Sequence, residues 1–543
     1  MPDVKKVLIV GGGSAGWIMA AYLNGALNKK GTEKNIDITL VESPDIPSIS
    51  VGEATIPSIG HILGVIGLNE REFMKATNAT FKQSIKYANW LNNEGEFYHH
   101  PFSRYRPGPI DRSAQDWIGS DRKIPFTETV SAQAMICEMG LAPQMLGEWD
   151  FGTKLKYAYH MDAAKFANYL RDFSVPKGVK HLLANVTKTN IQENGHIKSV
   201  QTACGKTLSA DLFIDCTGFS AHLMEKALGV GFEDCSQWLL CDRAAVMHIP
   251  YDDYFPSQVR PYTTATAQSA GWIWDIPMSI QRSIGYVHSS AFITEEQAQK
   301  ELHAYEGAHS GAYETKFINF KVGRREQAWK GNCIAVGLSG GFIEPLESTG
   351  IYLCDLAAVM LAEHFPFTQN AMEAMAFRFN RILTNRFYEI LDFINMHYCL
   401  SRRTDTDFWK EVQKPEHITD RLQAKLEFWK LKLPSTADFD DQFFPGQTSA
   451  SLSGHGDVRR PIDTAGLWNH ESYEAILYGM DFRGPEFENK PGHVRHPVRV
   501  PEFIIQRLHG ARQKLPPHHI WLNQVMGMHQ YEMHTPPPGW GKA

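Results

Sequence analysis

The feature that most constrains the fold is a glycine-rich turn between a strand and a helix near the N-terminus. Residues 7–10 (VLIV) form a continuous β-prone run, as expected for a strand buried on both faces. The turn at residues 11–16 (GGGSAG) follows, then helical apolar spacing over residues 17–27 and a second strand over residues 36–41 that ends at Glu42. This order predicts a Rossmann-type βαβ unit and therefore an α/β fold.

The turn fits the pattern G-x-G-x-x-G, in which glycines allow a tight turn and the close approach of a pyrophosphate. The N-terminus of the following helix attracts that anion. Glu42 lies 26 positions after Gly16, where a carboxylate accepts hydrogen bonds from a ribose. The pattern predicts a dinucleotide site and does not separate NAD from FAD. Its candidate residues are Gly11, Gly13, Ser14, Ala15, Gly16 and Glu42.

Composition excludes several classes of protein. The net charge is −6 and no basic run is present, so a nucleic-acid partner is not expected. The apolar run at residues 7–10 is too short to cross a membrane, and no signal cleavage site follows it. Eight cysteines occur singly, without a Cys-x-x-Cys pair, which favours reduced thiols over disulfides or zinc. We expect a cytoplasmic enzyme.

The chain's 543 residues are enough for two or three domains or one large body with additions. We predict an FAD-binding body over residues 1–430, with a substrate-side insertion at about 99–150, and a mostly helical C-terminal module over residues 431–543. Apolar spacing predicts a helix after Pro57 and another that carries Lys82. Residues 99–125 are interpreted as a long loop. Further strands are predicted at 179–186, 197–202 and 212–216, helices at 357–397, a loop at 445–463 and helices with a frayed tail at 464–543.

Two later segments favour FAD over NAD. Residues 211–218 (DLFIDCTG) resemble the second dinucleotide segment of large FAD-dependent monooxygenases. Residues 331–337 (GNCIAVG) resemble the segment of those enzymes that passes the ribityl chain. Each alone could be an ordinary turn in a parallel sheet, but both follow the first glycine turn in the expected order.

Three other motifs carry a more specific signal. They are residues 345–351 (PLESTGI), residues 271–277 (GWIWDIP) and the lysine in residues 79–83 (ATFKQ). Together these resemble motifs of the flavin-dependent tryptophan halogenases, and the resemblance covers most of the chain. It implies an FAD-binding body of the aromatic-hydroxylase type. It also matches residues 51–55 (VGEAT) to a strap that contacts the flavin, and implies cofactor contacts for Val51, Ala54, Val186, Leu338 and Ile351.

The resemblance assigns catalysis to Lys82 and Glu347. A buried lysine has a lowered pKa and a free lone pair, so it can hold hypohalous acid or form a haloamine. Without the other motifs, a solvated helix lysine would be the simpler interpretation of Lys82. A carboxylate at Glu347 stabilises the cationic ring intermediate of aromatic halogenation and can take the ring proton. Backbone N–H groups of Thr349 and Gly350 would bind halide, although Ser348 or Thr349 could also simply cap a helix.

The same family relationship implies further roles for aromatic residues. Trp272 and Trp274 match a W-x-W-x-I-P signature and would wall the flavin off from the substrate, although two core indoles in a strand are the plainer alternative. His100, Phe102 and Trp468 correspond to walls of the pocket for an indole. The adjacent His518 and His519 lack a third ligand at usable spacing, so no metal is predicted.

One departure from the family bears on the substrate. Halogenases of free tryptophan hold its amino-acid head with a tyrosine pair, and this chain has Phe443 and Phe444 in that region. A zwitterion buried without partners is heavily penalised. The sequence therefore predicts indole, a simple indole derivative or an indole within a larger molecule.

The resemblance implies a complete reaction. Reduced FAD from a separate, diffusing flavin reductase, O2 and chloride or bromide give hypohalous acid, which passes to Lys82 and halogenates a small aromatic. A homodimer is compatible with it. The alternatives are an FAD-dependent aromatic hydroxylase, which a halide-dependent product would exclude, and a non-catalytic flavin-binding protein, which turnover would exclude.

Overall fold

A computed structural model describes most of the chain. The described residues are 3–28, 35–46, 52–105, 111–146, 155–251, 259–435, 438, 467–482 and 495–526.

The strands are β1 (Lys6–Val10), β2 (Asp37–Glu42), β3 (Gly52–Ala54), β4 (Thr80–Lys82), β5 (Ser84–Ala88), β6 (Phe97–Pro101), β7 (Ala158–Asp162), β8 (Lys180–Leu183), β9 (Val186–Ile191), β10 (Ile197–Thr202), β11 (Thr207–Leu208), β12 (Leu212–Asp215), β13 (Phe232–Asp234), β14 (Arg243–Pro250), β15 (Thr263–Gln268), β16 (Gly271–Pro277), β17 (Gln281–His288), β18 (Lys316–Asn319), β19 (Gly323–Arg325), β20 (Trp329–Lys330), β21 (Cys333–Ala335) and β22 (Gly341–Phe342). The helices are α1 (Ser14–Leu27), α2 (Ile59–Ile66), α3 (Glu70–Ala76), α4 (Ser113–Ile118), α5 (Phe126–Val130), α6 (Gln133–Glu138), α7 (Ala163–Ser174), α8 (Glu295–Glu306), α9 (Gly350–Glu363), α10 (Met372–Cys399), α11 (Asp407–Glu411), α12 (Asp420–Leu431), α13 (His470–Gly479), α14 (Glu502–Lys514) and α15 (His518–Met526).

The predicted βαβ unit lies at the centre of a six-stranded sheet in the order β20-β21-β12-β1-β2-β8. Strand β1 pairs in parallel with both β2 and β12, and its residues Val7–Val10 are all buried, as a central parallel strand requires. Helix α1 packs against α7 and α9. The predicted α/β class is confirmed, and the turn after β1 lies at the carboxyl edge of the sheet, where such folds bind ligands.

A second, seven-stranded sheet forms a wall beside the first, in the order β18-β14-β17-β16-β15-β5-β6. Strand β16 carries the two tryptophans, and all seven of its residues are buried. A three-stranded sheet, β3-β7-β4, joins the segment after residue 51 to the strand that ends at Lys82. These sheets bring the lysine, the strap and the tryptophan strand to one region of the molecule.

The helix predicted to carry Lys82 is wrong. Lys82 ends β4, and the Phe81, Ile85 and Ala88 spacing that indicated one helical face spans two strands, β4 and β5, joined through Gln83. Strand β4 has only three residues, too short a run for the alternation of polar and apolar residues to mark it as a strand. Lys86 lies on β5 and donates to Glu138 at 2.8 Å.

The long loop predicted for residues 99–125 is only partly present. Strand β6 reaches Pro101 and helix α4 begins at Ser113, while residues 106–110 lie outside the described residues. The strand predicted at residues 179–186 corresponds to β8, which ends at Leu183, and Val186 already begins β9. The helices predicted at 357–397 correspond to parts of α9 and α10, and the loop predicted at 445–463 lies outside the described residues.

The C-terminal helices pack on the predicted substrate-side insertion. Ile504 and Ala511 of α14 share an apolar cluster with Ala132, Ile136 and Leu141 from the segment around α6. Helix α13 packs against β6 and α15 against α3. The helical C-terminal region therefore covers the side of the body that carries β4, β5 and β6.

In the described part of the chain, no helix is long and apolar enough to cross a membrane. All eight cysteines fall within described segments and carry free thiols, six of them buried.

Candidate functional site

Each glycine of the turn at residues 11–16 occupies its position for a different steric reason. Gly11 has φ +113°, and a Cβ there would lie 2.1 Å from the carbonyl oxygen of Cys216. A Cβ on Gly16 would lie 2.0 Å from the carbonyl oxygen of Gly11, so this glycine allows α1 to approach the turn. A Cβ on Gly13 would meet no protein atom within 4 Å. Gly13 therefore leaves open space for a ligand next to the backbone.

Glu42 lies directly over this turn. A Cβ on Gly12 would overlap its carboxylate, and its Oε1 lies 2.7 Å from Nε2 of His181. The carboxylate thus faces the turn from the end of β2, at the position from which it can accept hydrogen bonds from a ribose.

The turn opens into a cavity of about 580 Å³, within the size range of cofactor sites. The predicted cofactor residues that line it are Gly11, Gly13, Ser14, Ala15, Glu42, Ala54, Val186, Leu338 and Ile351. Gly16 packs beneath the turn instead of facing the cavity, and Val51 lies outside the described residues. The open cradle at Gly13, the acid on the second strand and a cavity that runs on to the tryptophan strand fit FAD.

Trp272 and Trp274 lie in the wall of this cavity. Their ring centroids are 6.4 Å apart, and Nε1 of Trp272 donates to Oε1 of Glu344 at 3.1 Å. Trp274 pairs across the sheet with Gly285, where any Cβ would lie 2.1 Å from its indole ring. Burial raises the pKa of Glu344 to about 7, although hydrogen bonds from Tyr398 and Trp272 oppose the shift. The two indoles are therefore fixed by a buried carboxyl and by a glycine on the next strand.

The segment at residues 345–351 is a tight turn before a helix. Pro345–Glu347 forms one turn of 3₁₀ helix, and Ser348 has φ +60°, a left-handed conformation that is uncommon for serine. Thr349 is the N-cap of α9 but its side chain makes no capping hydrogen bond. Ser348, Thr349 and Gly350 all line the cofactor cavity. Because Ser348 is left-handed, the side chain of Glu347 and the backbone N–H groups of Thr349 and Gly350 point in different directions.

Lys82 is completely buried, and its ammonium lies on the far side of this turn. Nζ donates to Oγ of Ser348 at 2.7 Å and to the carbonyl oxygen of Thr55 at 3.0 Å. Burial lowers the pKa of Lys82 to about 7, although the charge of Glu347 opposes the shift. At neutral pH a substantial fraction of the side chain is therefore an uncharged amine, the nucleophilic form.

Glu347 does not pair with Lys82 within 4.0 Å in the described structure; instead, three side chains donate to it. Tyr87 Oη lies 2.5 Å from Oε1, His397 Nε2 lies 3.1 Å from Oε1, and His100 Nδ1 lies 3.1 Å from Oε2. Burial would raise the pKa of this carboxyl, but His100 and His397 hold it well below the usual range. Glu347 is thus a fully buried carboxylate that stays ionised.

No sequence motif pointed to two of these partners. Tyr87 lies on β5, in the segment interpreted as a helix, and His397 lies near the end of α10, 50 positions from Glu347 and outside any recognised motif. Only a correct pairing of β5 with β6 could have placed Tyr87 beside the residues of the predicted substrate pocket.

Of the predicted substrate residues, Phe102 lies near Lys82 and His100 contacts Glu347. The Phe102 ring centroid lies 5.3 Å from Nζ of Lys82. Trp468 stacks on Phe393 with centroids 4.1 Å apart, and Phe393 lies 5.8 Å from the ring of His100. Phe102 therefore lies against the lysine, and Trp468 reaches His100 through Phe393. Phe443 and Phe444 lie outside the described residues.

His518 has a structural role. Its Nδ1 lies 2.8 Å from the carbonyl oxygen of Val259, and its Nε2 accepts from the backbone N–H of Phe81 at 3.2 Å. Both ring nitrogens are therefore engaged in anchoring α15 against β4.

Known proteins resemble this chain over nearly its whole length. The profile of the tryptophan halogenase family matches residues 6–493. Tryptophan 7-halogenase RebH of Lentzea aerocolonigenes is 34% identical, with 96% of this chain and 99% of RebH covered. Tryptophan 6-halogenase SttH of Streptomyces toxytricini is 35% identical, with 80% and 85% covered. The crystal structure of a tryptophan halogenase from Shewanella frigidimarina superposes with a TM-score of 0.85 at 30% identity, covering 97% of this chain and 98% of that one.

The glycine turn yields a matched pair of variants. Gly16→Ala places a Cβ against the Gly11 carbonyl and should lower the stability of the apoprotein by roughly 1–3 kcal/mol. Gly13→Ala meets no protein atom, so we expect apoprotein stability within about 1 kcal/mol of wild type. Its affinity for FAD should nevertheless fall about tenfold or more, a loss of roughly 1.4 kcal/mol. Thermal unfolding measures the change in stability, and FAD titration measures the change in affinity. Unchanged FAD affinity in Gly13→Ala would mean that the pyrophosphate does not bind at this turn.

Proposed function

Because this chain belongs to the tryptophan halogenase family, we propose that it uses reduced FAD, O2 and chloride or bromide to halogenate an indole through Lys82. Because of its family, the chain is a flavin-dependent halogenase. What we propose is the role of each residue of the site. The observation that carries it is the buried amine of Lys82. Its pKa is about 7, and Ser348 links it to the cofactor cavity.

Residues of the six-stranded sheet hold the cofactor in this proposal. The turn at Gly11 and Gly13 and the N-terminus of α1 bind the pyrophosphate, and Glu42 binds the adenosine ribose. When bound, reduced FAD would provide, together with O2, the two-electron oxidation that converts halide into hypohalous acid. A separate flavin reductase supplies the reduced cofactor.

The start of α9 suits the halide. The first N–H groups of a helix have no partner inside the helix, and the helix dipole makes this end positive. Thr349 and Gly350 contribute those N–H groups at the wall of the cofactor cavity. Trp272 and Trp274 exclude the aromatic substrate from the same cavity. The oxidant that reduced FAD and O2 provide would therefore react with halide before it could reach the ring of the substrate.

Lys82 receives the oxidised halogen on the other side of the turn. Its neutral amine attacks the halogen of hypohalous acid, so an N–halogen bond forms, the halogen–oxygen bond breaks and water leaves with the amine's proton. Ser348 and the Thr55 carbonyl hold Nζ in place, and burial keeps the amine available. In this proposal Phe102, 5.3 Å from Nζ, and the Phe393–Trp468 stack hold the aromatic ring against the N–halogen group.

Glu347 supplies the counter-charge for the ring cation in this scheme. A carboxylate held ionised by three donors is pre-organised, so its field costs no reorganisation when positive charge develops nearby. Its burial strengthens that field, because little water screens it.

The substrate is a small aromatic of the indole type. We propose that it lacks the charged head of free tryptophan, on the basis of Phe443 and Phe444 in place of the family's tyrosine pair. A pocket without hydroxyl partners has no means to replace the hydration of a zwitterion. The alternatives of an aromatic hydroxylase or a non-catalytic flavin-binding protein are tested by the same reaction, since neither gives a halide-dependent product.

The role of Lys82 is tested by comparison with Lys86, a lysine on the next strand that pairs with Glu138. Lys82→Ala should abolish halogenation while FAD binding persists, whereas Lys86→Ala should retain the activity. Product formation is measured by mass spectrometry with a flavin reductase, NADH, FAD, O2 and bromide. In the wild type, the rate should rise as pH increases through about 7, because the amine loses its proton in that range. Halogenation at the wild-type rate in Lys82→Ala would show that free hypohalous acid suffices.

Glu347→Gln tests the counter-charge at constant shape. Loss of one pre-organised electrostatic contact costs about 2.7–4 kcal/mol, or roughly 100- to 1000-fold in kcat. Tyr87→Phe removes one donor but keeps the carboxylate, so we expect a smaller decrease in kcat. Steady-state halogenation rates at saturating substrate measure both, and an unchanged rate in Glu347→Gln would reduce Glu347 to a structural role.

Competition between indole and free tryptophan in one vessel tests the substrate assignment. We expect kcat/KM for indole to exceed that for tryptophan with either halide, because only tryptophan must lose the hydration of its charged head on binding. The ratio of halogenated products at low conversion gives the ratio of kcat/KM values. Faster consumption of tryptophan would mean that another group in residues 445–470 binds its head.

A further inference from the structure

The cofactor cavity carries an exposed aromatic ring that the proposed function does not use. Phe219 lines the cavity and is 39% exposed. Among the described residues, it is the only exposed aromatic side chain in the cavity wall, and Ile46, four positions after Glu42, is the only other large apolar side chain of the wall that is exposed. An apolar ring held open at the wall of a ligand cavity indicates a contact for that ligand.

The turn that presents Phe219 is fixed at both ends. The fully buried carboxylate of Asp215 accepts from the backbone N–H of Thr217 at 3.0 Å and from that of Leu223 at 2.7 Å. Between them, Ala221 has φ +38°, a left-handed conformation that is uncommon for a residue with a side chain. The exposed ring is therefore held in place before any ligand binds, although the backbone that holds it is strained.

Two further phenylalanines connect Phe219 with the rest of the cavity wall. The rings of Phe219 and Phe342 meet edge to face, with centroids 5.9 Å apart. Phe342 meets Phe320 in the same way, with centroids 5.1 Å apart, and both of these residues line the cavity. Phe219, Phe320 and Phe342 thus form a connected aromatic rim with one ring open to solvent.

A row of side chains across the seven-stranded sheet joins this aromatic rim to the tryptophan strand. Trp272 of β16 pairs with Val287 of β17, which pairs with Ala244 of β14. Ala244 pairs in turn with Ile318 of β18, two positions before Phe320. Paired residues share one face of a sheet, and all of these residues line the cavity. With neighbouring strands about 4.8 Å apart, the row spans roughly 14 Å.

The two ends of the cavity differ in chemistry. In the proposed function, the turn at Gly13 and the carboxylate of Glu42 hold the pyrophosphate and the ribose of FAD. The flavin half of the cofactor then extends along the apolar row that starts at Trp272. The isoalloxazine is a planar system of three fused rings, and such rings bind other aromatic rings by offset stacking or edge-to-face contact.

We propose that the aromatic rim is a subsite for the isoalloxazine ring of FAD, with Phe219 as its outer contact. This inference rests on the proposed function, because it takes the cofactor to be FAD with its nucleotide half at Gly13. A separate reductase supplies the reduced cofactor, so the flavin has to enter and leave the cavity between turnovers. An aromatic contact that is open to solvent and already in position serves that exchange.

Two ligands separate the flavin half of the cofactor from its nucleotide half. ADP carries the adenosine and the pyrophosphate, and FAD adds the flavin. In Phe219→Ala, the affinity for FAD should fall about three- to tenfold, because the variant loses one aromatic contact with the isoalloxazine. The affinity for ADP should stay within about twofold of wild type. Calorimetric titration of the apoprotein with each ligand measures both affinities.

Two other variants provide matched controls. Gly13→Ala should weaken the binding of FAD and ADP alike, because both ligands carry the pyrophosphate. Phe377 on α10 is 73% exposed and does not line the cavity. Phe377→Ala should therefore leave both affinities unchanged.

Conservative variants test the ring of Phe219 itself. Phe219→Tyr keeps an aromatic ring and should bind FAD with nearly the wild-type affinity. Phe219→Leu keeps an apolar side chain without a ring, so its affinity for FAD should lie between those of Phe219→Ala and wild type. Thermal unfolding of each apoprotein shows whether the turn is intact.

The outcomes separate this inference from the proposed function. A loss of affinity for FAD but not for ADP in Phe219→Ala, with recovery in Phe219→Tyr, supports the subsite. Unchanged affinity for FAD in Phe219→Ala, or an equal loss for FAD and ADP, overturns it, even if the wild type binds FAD and Lys82→Ala is inactive. If the wild-type apoprotein does not bind FAD, the proposed function fails first.

Discussion

The site depends on one left-handed residue. Ser348 has φ +60°, and this reversal lets three consecutive groups face three directions. The carboxylate of Glu347 points to β5, β6 and α10, the hydroxyl of Ser348 accepts from Lys82, and the backbone of Thr349 begins α9 at the cofactor cavity. A right-handed residue would send the helix elsewhere, so the strained conformation, which costs about 1–3 kcal/mol, is maintained by the surrounding packing.

Two buried charges of opposite sign are kept chemically different by their neighbours. Lys82 has a hydroxyl and a carbonyl as partners, so desolvation dominates and its pKa falls to about 7. Glu347 has two imidazoles and a phenol as partners, so its charged form persists. Direct pairing of the two would have stabilised both charges and removed the free amine. Their separation by the turn is therefore a condition for nucleophilic chemistry at the lysine.

Local patterns in the sequence predicted the fold class, and nine of the eleven predicted cofactor residues line the cavity beside the glycine turn. A glycine turn between a β-prone run and a helix can be recognised within about 40 residues, and Glu42 follows from the same unit. The strand that ends at Lys82 was missed because its three residues are too few to show the alternation that marks a strand. Tyr87 and His397 join Glu347 from 260 and 50 positions away, and no local pattern encodes contacts of that kind.

The position of Trp274 depends on Gly285, a residue of β17 that does not itself line the cavity. The indole occupies the volume that any side chain at Gly285 would need, so in the proposed function a residue behind the wall shapes the separation of the cofactor from the aromatic substrate. One added carbon at that position would tilt the indole and, in the proposed function, change how well the cofactor cavity is separated from the aromatic substrate. A substitution at this one position would therefore change both how well the oxidant is kept from the substrate and how large a substrate can bind. Every residue that lines either side of the wall would stay the same.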